Sequence, residues 1–145
     1  MKSRMIGKDD AGKTYVLIFD KGDEVVATLK RFAADNDLSA GRINGIGAFS
    51  EVTTGYFDKE TKRYIENPVG GQCELLSLIG DVAEGPDGKP AVHMHVVVGL
   101  RDGTTRGGHL LEGRVFPTLE MTLTEAPAHL RKKTDPETGL ALIRL

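Results

Sequence analysis

The stretch 93–113 reads HMHVVVGLRDGTTRGGHLLEG and holds three of the chain's four histidines within seventeen positions. On a strand, residues two apart share a face, so His93 and His95 point one way while Met94, Val96 and Val98 point the other. The apolar set is expected in the core. The rise of an extended chain puts the two histidines roughly 6.5 to 7 Å apart at the backbone, which lets two ring nitrogens meet one ion. After the run GLRDGTTRGG, read as a tight return through Asp102, Gly103, Gly107 and Gly108, the chain delivers His109. Three histidines with an open fourth position form the ligand set of a catalytic or ligand-binding zinc site. The glycine pair is expected to supply backbone angles that place the third ring. The same residues also fit an exposed histidine pair on a half-solvated strand, with His109 merely beside a loop.

Two carboxylates are candidates to complete such a site. Glu120 alternates with Leu119, Met121 and Leu123, and Glu74 stands opposite Cys73 and Leu75, so both leave the core face of their strands. Either is placed to orient a ligating imidazole or to handle protons; the plainer expectation is a solvated strand carboxylate. His129, in APAHLRKK, is expected at the surface.

Other patterns fail on context. GKDDAGKT (Gly7, Gly12, Lys13, Thr14) fits the phosphate-loop spelling, but that loop needs a buried strand before it and a helix after it. Only six residues precede Gly7, a strand follows Thr14, and Asp9 and Asp10 repel phosphate. GRINGIGAFS lacks the third glycine of a dinucleotide fingerprint and opens no helix. No local signature supports a nucleophilic serine or cysteine.

These residues must be carried by a folded scaffold. At 145 residues, 39% hydrophobic and 28% charged, the chain is expected to form one domain, 1–145, rather than a disordered segment. Lys plus Arg is 19 against 21 Asp plus Glu, a net charge of −2, which gives no electrostatic footprint for nucleic acid. The single cysteine, Cys73, forms no intramolecular disulfide and is expected to be a buried thiol. The charged start MKSRMIGKDD lacks an apolar signal segment and no run reaches membrane-spanning length, so the expectation is a cytoplasmic protein away from membranes.

TYVLIFD (14–20) reads as a strand. GDEVVATLKRFAADND reads as a helix with Val25, Val26, Leu29, Phe32 and Ala33 on its apolar face, Asp23 and Glu24 in its first turn, and Lys30 and Arg31 further along. AGRINGIGAFSEVTTGYFD reads as a glycine-bent strand followed by another, and KRYIENPV as a further strand. Residues 72–84 and 91–100 are expected to pair as an antiparallel hairpin around GPDGKP. TLEMTLTEA (118–126) and a short strand after a turn in the tail complete an α+β domain, a mostly antiparallel mixed sheet with one main helix.

The ordered segments GRINGIGAFSEVTTGYFD, CELLSLIGDVAEGPDGKPAVHMHVVVGLRDGTTRGGHLLEG and TLEMTLTEA resemble the plants-and-prokaryotes-conserved (PPC) domain, over about Thr14 to Glu125. The resemblance implies an α+β fold assembled as a homotrimer. It also implies a divalent metal site, expected to hold zinc, at His93, His95 and His109, as in stand-alone prokaryotic members. In plants the domain accompanies DNA-binding AT-hooks; this sequence contains no core of the RGRP type. Two functions stand as expectations: a trimeric metal-binding protein with a small-molecule ligand or substrate, and a DNA-binding or regulatory module.

Overall fold

Runs of β-branched and aromatic residues that alternate with polar ones favour extended backbone, and they dominate this chain. The computed structural model describes residues 1–10, 12–126 and 129–145. In it, nine strands and one helix follow in the order β1 (Lys2–Asp9), β2 (Gly12–Phe19), α1 (Val25–Asp35), β3 (Ala40–Asp58), β4 (Arg63–Val69), β5 (Cys73–Glu84), β6 (Pro90–Gly99), β7 (Thr105–Glu125), β8 (Arg131–Thr134) and β9 (Ala141–Arg144). The strands form one mixed sheet, ordered β1-β2-β7-β3-β5-β8-β9, with β4 on β3 and β6 bridging β5 and β7. All pairings are antiparallel except β5 with β8, which touch in parallel at Glu84 and Arg131.

One face of the sheet and the helix enclose the core. Leu17, Phe19, Met94, Val96, Val98, Leu119, Met121 and Leu123 are buried, as alternation requires of one sheet face. Val25, Leu29, Phe32 and Ala33 come down onto them from α1, with Thr28 buried beside them and Val26 only half-buried. The expected first helical turn is corrected by one residue. Glu24 caps the helix, accepting from the backbone N–H groups of Val26 at 3.1 Å and Ala27 at 2.6 Å, while Asp23 accepts from Asp20 N–H in the turn before it. Glu24 also accepts from Gly113 N–H at 3.3 Å, which ties the helix start to β7.

Two expected breaks are absent. The bent strand and its successor are one strand, β3, which shifts register against β5 between Gly45 and Gly47 and against β7 at three further places. Likewise, β7 runs unbroken from Thr105 to Glu125, so Gly107, Gly108 and His109 lie inside a strand. The return after β6 is confined to Leu100–Thr104, closed by Gly103 N–H donating to Leu100 C=O at 2.9 Å. The GKDDAGKT segment spans the β1–β2 hairpin, its Ala11 lying outside the described residues. Cys73 is buried, and burial pushes its thiol pKa up.

Candidate metal centre

The three histidines meet where the sheet pairing closes on itself. β3 pairs with β5, β5 with β6, β6 with β7, and β7 with β3 again. His109 occupies the closing position, opposite His95 on one side and Gly55 on the other. Such closure demands close backbone approach. A Cβ at Gly107 would stand 2.8 Å from Val96 O, and one at Gly108 would stand 2.8 Å from Gly55 O. The glycine pair is therefore required by contact between neighbouring strands, not by a turn as the sequence suggested.

His93 and His95 share the face away from the core, as their spacing predicts, and their Nε2 atoms lie 3.1 Å apart. Candidate ligand atoms of all three histidines lie within 4.8 Å of one another. Tetrahedral zinc with Zn–N bonds of about 2.0–2.1 Å separates its nitrogen ligands by roughly 3.3 Å. The His93–His95 pair, at 3.1 Å, is close to that spacing, and no pair needs to close by more than about 1.5 Å.

Electrostatics point the same way. Burial first, then the neighbouring His93 and His95 rings and the Lys132 ammonium, push the His109 imidazole down to about 4. His95 is lowered as well, by burial and by charge at His93. Neutral imidazoles are the metal-binding form. Among the described residues two buried side-chain atoms lack a hydrogen bond. Asp81 Oδ1 is compensated by its ion pair with Lys132 Nζ at 2.7 Å. The other is His109 Nδ1, and a buried polar atom without a partner costs stability unless a ligand supplies one.

The sequence missed the groups that surround the cluster. Asp81 lies directly across β5 and β6 from His93, with its Oδ2 3.5 Å from His93 Nδ1. Burial alone would raise the Asp81 carboxyl, but His93 and the almost fully buried Lys132 hold it below the usual range. A carboxylate beside Nδ1 favours the tautomer with its proton there, which leaves the Nε2 lone pair for the ion. Tyr64 of β4 lies over His109, ring centroids 4.8 Å apart, and His93 flanks His109 at 5.1 Å. Gly55 makes room, since a Cβ there would stand 2.7 Å from the Tyr64 ring.

Glu120 and Glu74 are not brought to the cluster. Glu120 lies on the outer face beside Ile46 and Ile18, and Glu74 beside Ala48 and Gly99; neither meets an imidazole. The carboxylate in contact is Asp81. His129 is exposed, as expected, and binds Glu84 through Nε2 at 2.9 Å; Pro127 and Ala128 before it lie outside the described residues.

Residues 7–127 match the family model of the Plants and Prokaryotes Conserved (PCC) domain. A plant- and prokaryote-conserved protein from Pyrococcus horikoshii superposes with a TM-score of 0.88 at 38% identity, covering 93% of each chain. A metal-containing protein from Archaeoglobus fulgidus gives 0.83 at 33% identity, over 93% of this chain and 95% of that one. A protein from Bacteroides thetaiotaomicron, described as a candidate DNA-binding protein, gives 0.89 at 26% identity over 99% and 96%. The bifunctional protein GlmU of Synechococcus sp. (strain JA-3-3Ab) is 32% identical over 130 residues, 88% of this chain. The chain spans about a fifth of the length of such curated relatives, 20% for this one.

Proposed function

From the membership of this chain in the Plants and Prokaryotes Conserved domain family, we propose a homotrimeric metal-binding protein that holds one divalent ion, zinc, on His93, His95 and His109. The observation that carries this reading is the convergence of three imidazoles, two of them 3.1 Å apart at Nε2 and the third with a buried Nδ1 that has no partner. The Archaeoglobus fulgidus relative, described as metal-containing, supports it. With three protein ligands, a bound ion keeps an open position and supplies Lewis-acid polarisation of an oxygen donor. The chain's own residues do the rest. Asp81 orients His93, Tyr64 holds the plane of His109, and burial keeps His109 neutral at pH 7. No helix among the described residues is long and apolar enough to cross a membrane, and a lone buried thiol suits our placement of the protein in the reducing cytoplasm.

Zinc calorimetry on the metal-free protein, prepared without a histidine tag, tests the reading. His109→Ala is expected to weaken zinc at least tenfold while circular dichroism stays unchanged, because the core face lies on the other side of the strands. Equal affinity in both proteins, or no uptake by the wild type, would show the cluster to be scaffold.

The Bacteroides thetaiotaomicron relative favours a second reading, DNA binding. A net charge of −2 runs against it. Retention on DNA that falls steeply with salt, through counterion release, is the result that would favour it.

A further inference from the structure

Beside the histidines the sheet's outer face opens into a hollow of about 730 Å³. Its floor is two cross-strand rows. The first runs Thr124, Arg42, Asp81, His93, and the second Thr122, Asn44, Ile79, His95. Arg42 therefore stands two strands from His93, roughly 9.6 Å at the backbone. Both side chains line the hollow, and a ligand a few ångströms long fits between them.

Arg42 is exposed and has no hydrogen bond or ion pair among the described residues. The carboxylate across from it would be its natural partner, but Asp81 is engaged by Lys132 at 2.7 Å and by His93 at 3.5 Å. With a divalent ion on the histidines, Arg42, Lys132 and the ion outweigh the single negative charge of Asp81. The hollow thus favours an anion. A guanidinium presents a planar fork that matches a carboxylate with two parallel hydrogen bonds. Asn44, Thr122 and Thr124 add neutral polar groups along the floor, and Ile79, in the row next to Asp81, adds an apolar patch between Asn44 and His95.

We propose that this hollow binds a small carboxylic acid, its carboxylate on Arg42 and a second oxygen donor, a hydroxyl or carbonyl, turned towards the ion held by His93, His95 and His109. This rests on the metal reading above. Arg42 is then the residue that selects the ligand class, without itself holding metal.

The test separates the two claims. Zinc is first titrated into metal-free wild type, Arg42→Gln and Arg42→Lys, with equal affinities expected, since Arg42 is no ligand of the ion. Lactate is then titrated into the zinc-loaded proteins. Its dissociation constant is expected to be at least tenfold larger in Arg42→Gln, with Arg42→Lys between, because a lysine keeps the charge and loses the fork. Propane-1,2-diol, which keeps the hydroxyl and lacks the carboxylate, should bind weakly and equally to all three. Absence of zinc uptake overturns both claims. Zinc uptake with no lactate binding, or with lactate binding equal in wild type and Arg42→Gln, overturns this one and leaves the metal site standing. Inorganic phosphate that outcompetes lactate overturns the carboxylate assignment.

Discussion

His109 sits between two rings, Tyr64 at 4.8 Å and His93 at 5.1 Å, and burial, with the charges beside it, pushes its imidazole down from the ordinary 6.5 to about 4. The sign of the consequence is fixed by linkage. Between pH 6.5 and 4 the unfolded chain takes up a proton that folded His109 refuses, so stability contributed by this group is complete above 6.5 and is lost progressively as pH falls towards 4. The metal-free protein is therefore expected to lose denaturant resistance on going from pH 7 to pH 4.5. His109→Gln, neutral at every pH, should lose distinctly less. Urea midpoints at both values measure this, and identical pH slopes for the two proteins would contradict the burial of the ring. Zinc opposes the loss by favouring the neutral form.

At the scale of elements, strand alternation made the histidine face legible, because a two-residue period depends on nothing beyond the strand itself. Met94, Val96 and Val98 are buried and His93 and His95 face away, as the spacing required. The turn at GPDGKP also carried unused information. Every pair from Glu84–Pro90 to Ser77–Val97 is equidistant from Asp87, so the register alone sets Asp81 opposite His93. Glu120 and Glu74 were plausible from alternation, which fixes a face but not a neighbour. Tyr64 and Lys132 were out of reach, since their positions depend on β4 joining β3 and β8 joining β5. β1 was missed because all eight of its residues are exposed and only backbone pairing with β2 makes it a strand. The β5–β6 hairpin that positions the histidines is itself closely packed. A Cβ at Gly80 would collide with His93 O and stand 2.8 Å from Met94 Cγ. Gly80→Ala is expected to destabilise the fold by about 1–3 kcal/mol and to weaken zinc binding by shifting β6. Gly70→Ala, where a Cβ meets nothing within 4 Å, should leave both unchanged. Urea unfolding and zinc calorimetry on the two variants check the pair.

At the scale of the whole molecule, one side of the sheet is closed by α1 and the other is not. On the open side Ile46, Leu76, Ile79 and Val97 are 59%, 52%, 60% and 43% exposed. They are neighbours: Ile46, Leu76 and Ile79 line one hollow, and Val97 stands across from Ser77. Contiguous exposed apolar side chains mark a surface that another molecule covers. A second copy is the occupant we propose, in keeping with the homotrimer proposed above. Ile79 also borders the histidine hollow, so neighbouring subunits would wall that hollow and leave its polar floor free for a ligand. Sedimentation velocity at micromolar concentration is expected to give about three times the monomer mass. Leu76→Glu places a charge in the middle of the patch, where desolvation in an interface is costly and exposure in a monomer is not. The variant should sediment as a monomer with an unchanged circular dichroism spectrum. A wild type that sediments as a monomer, or a Leu76→Glu variant that remains a trimer, would remove this face from the assembly.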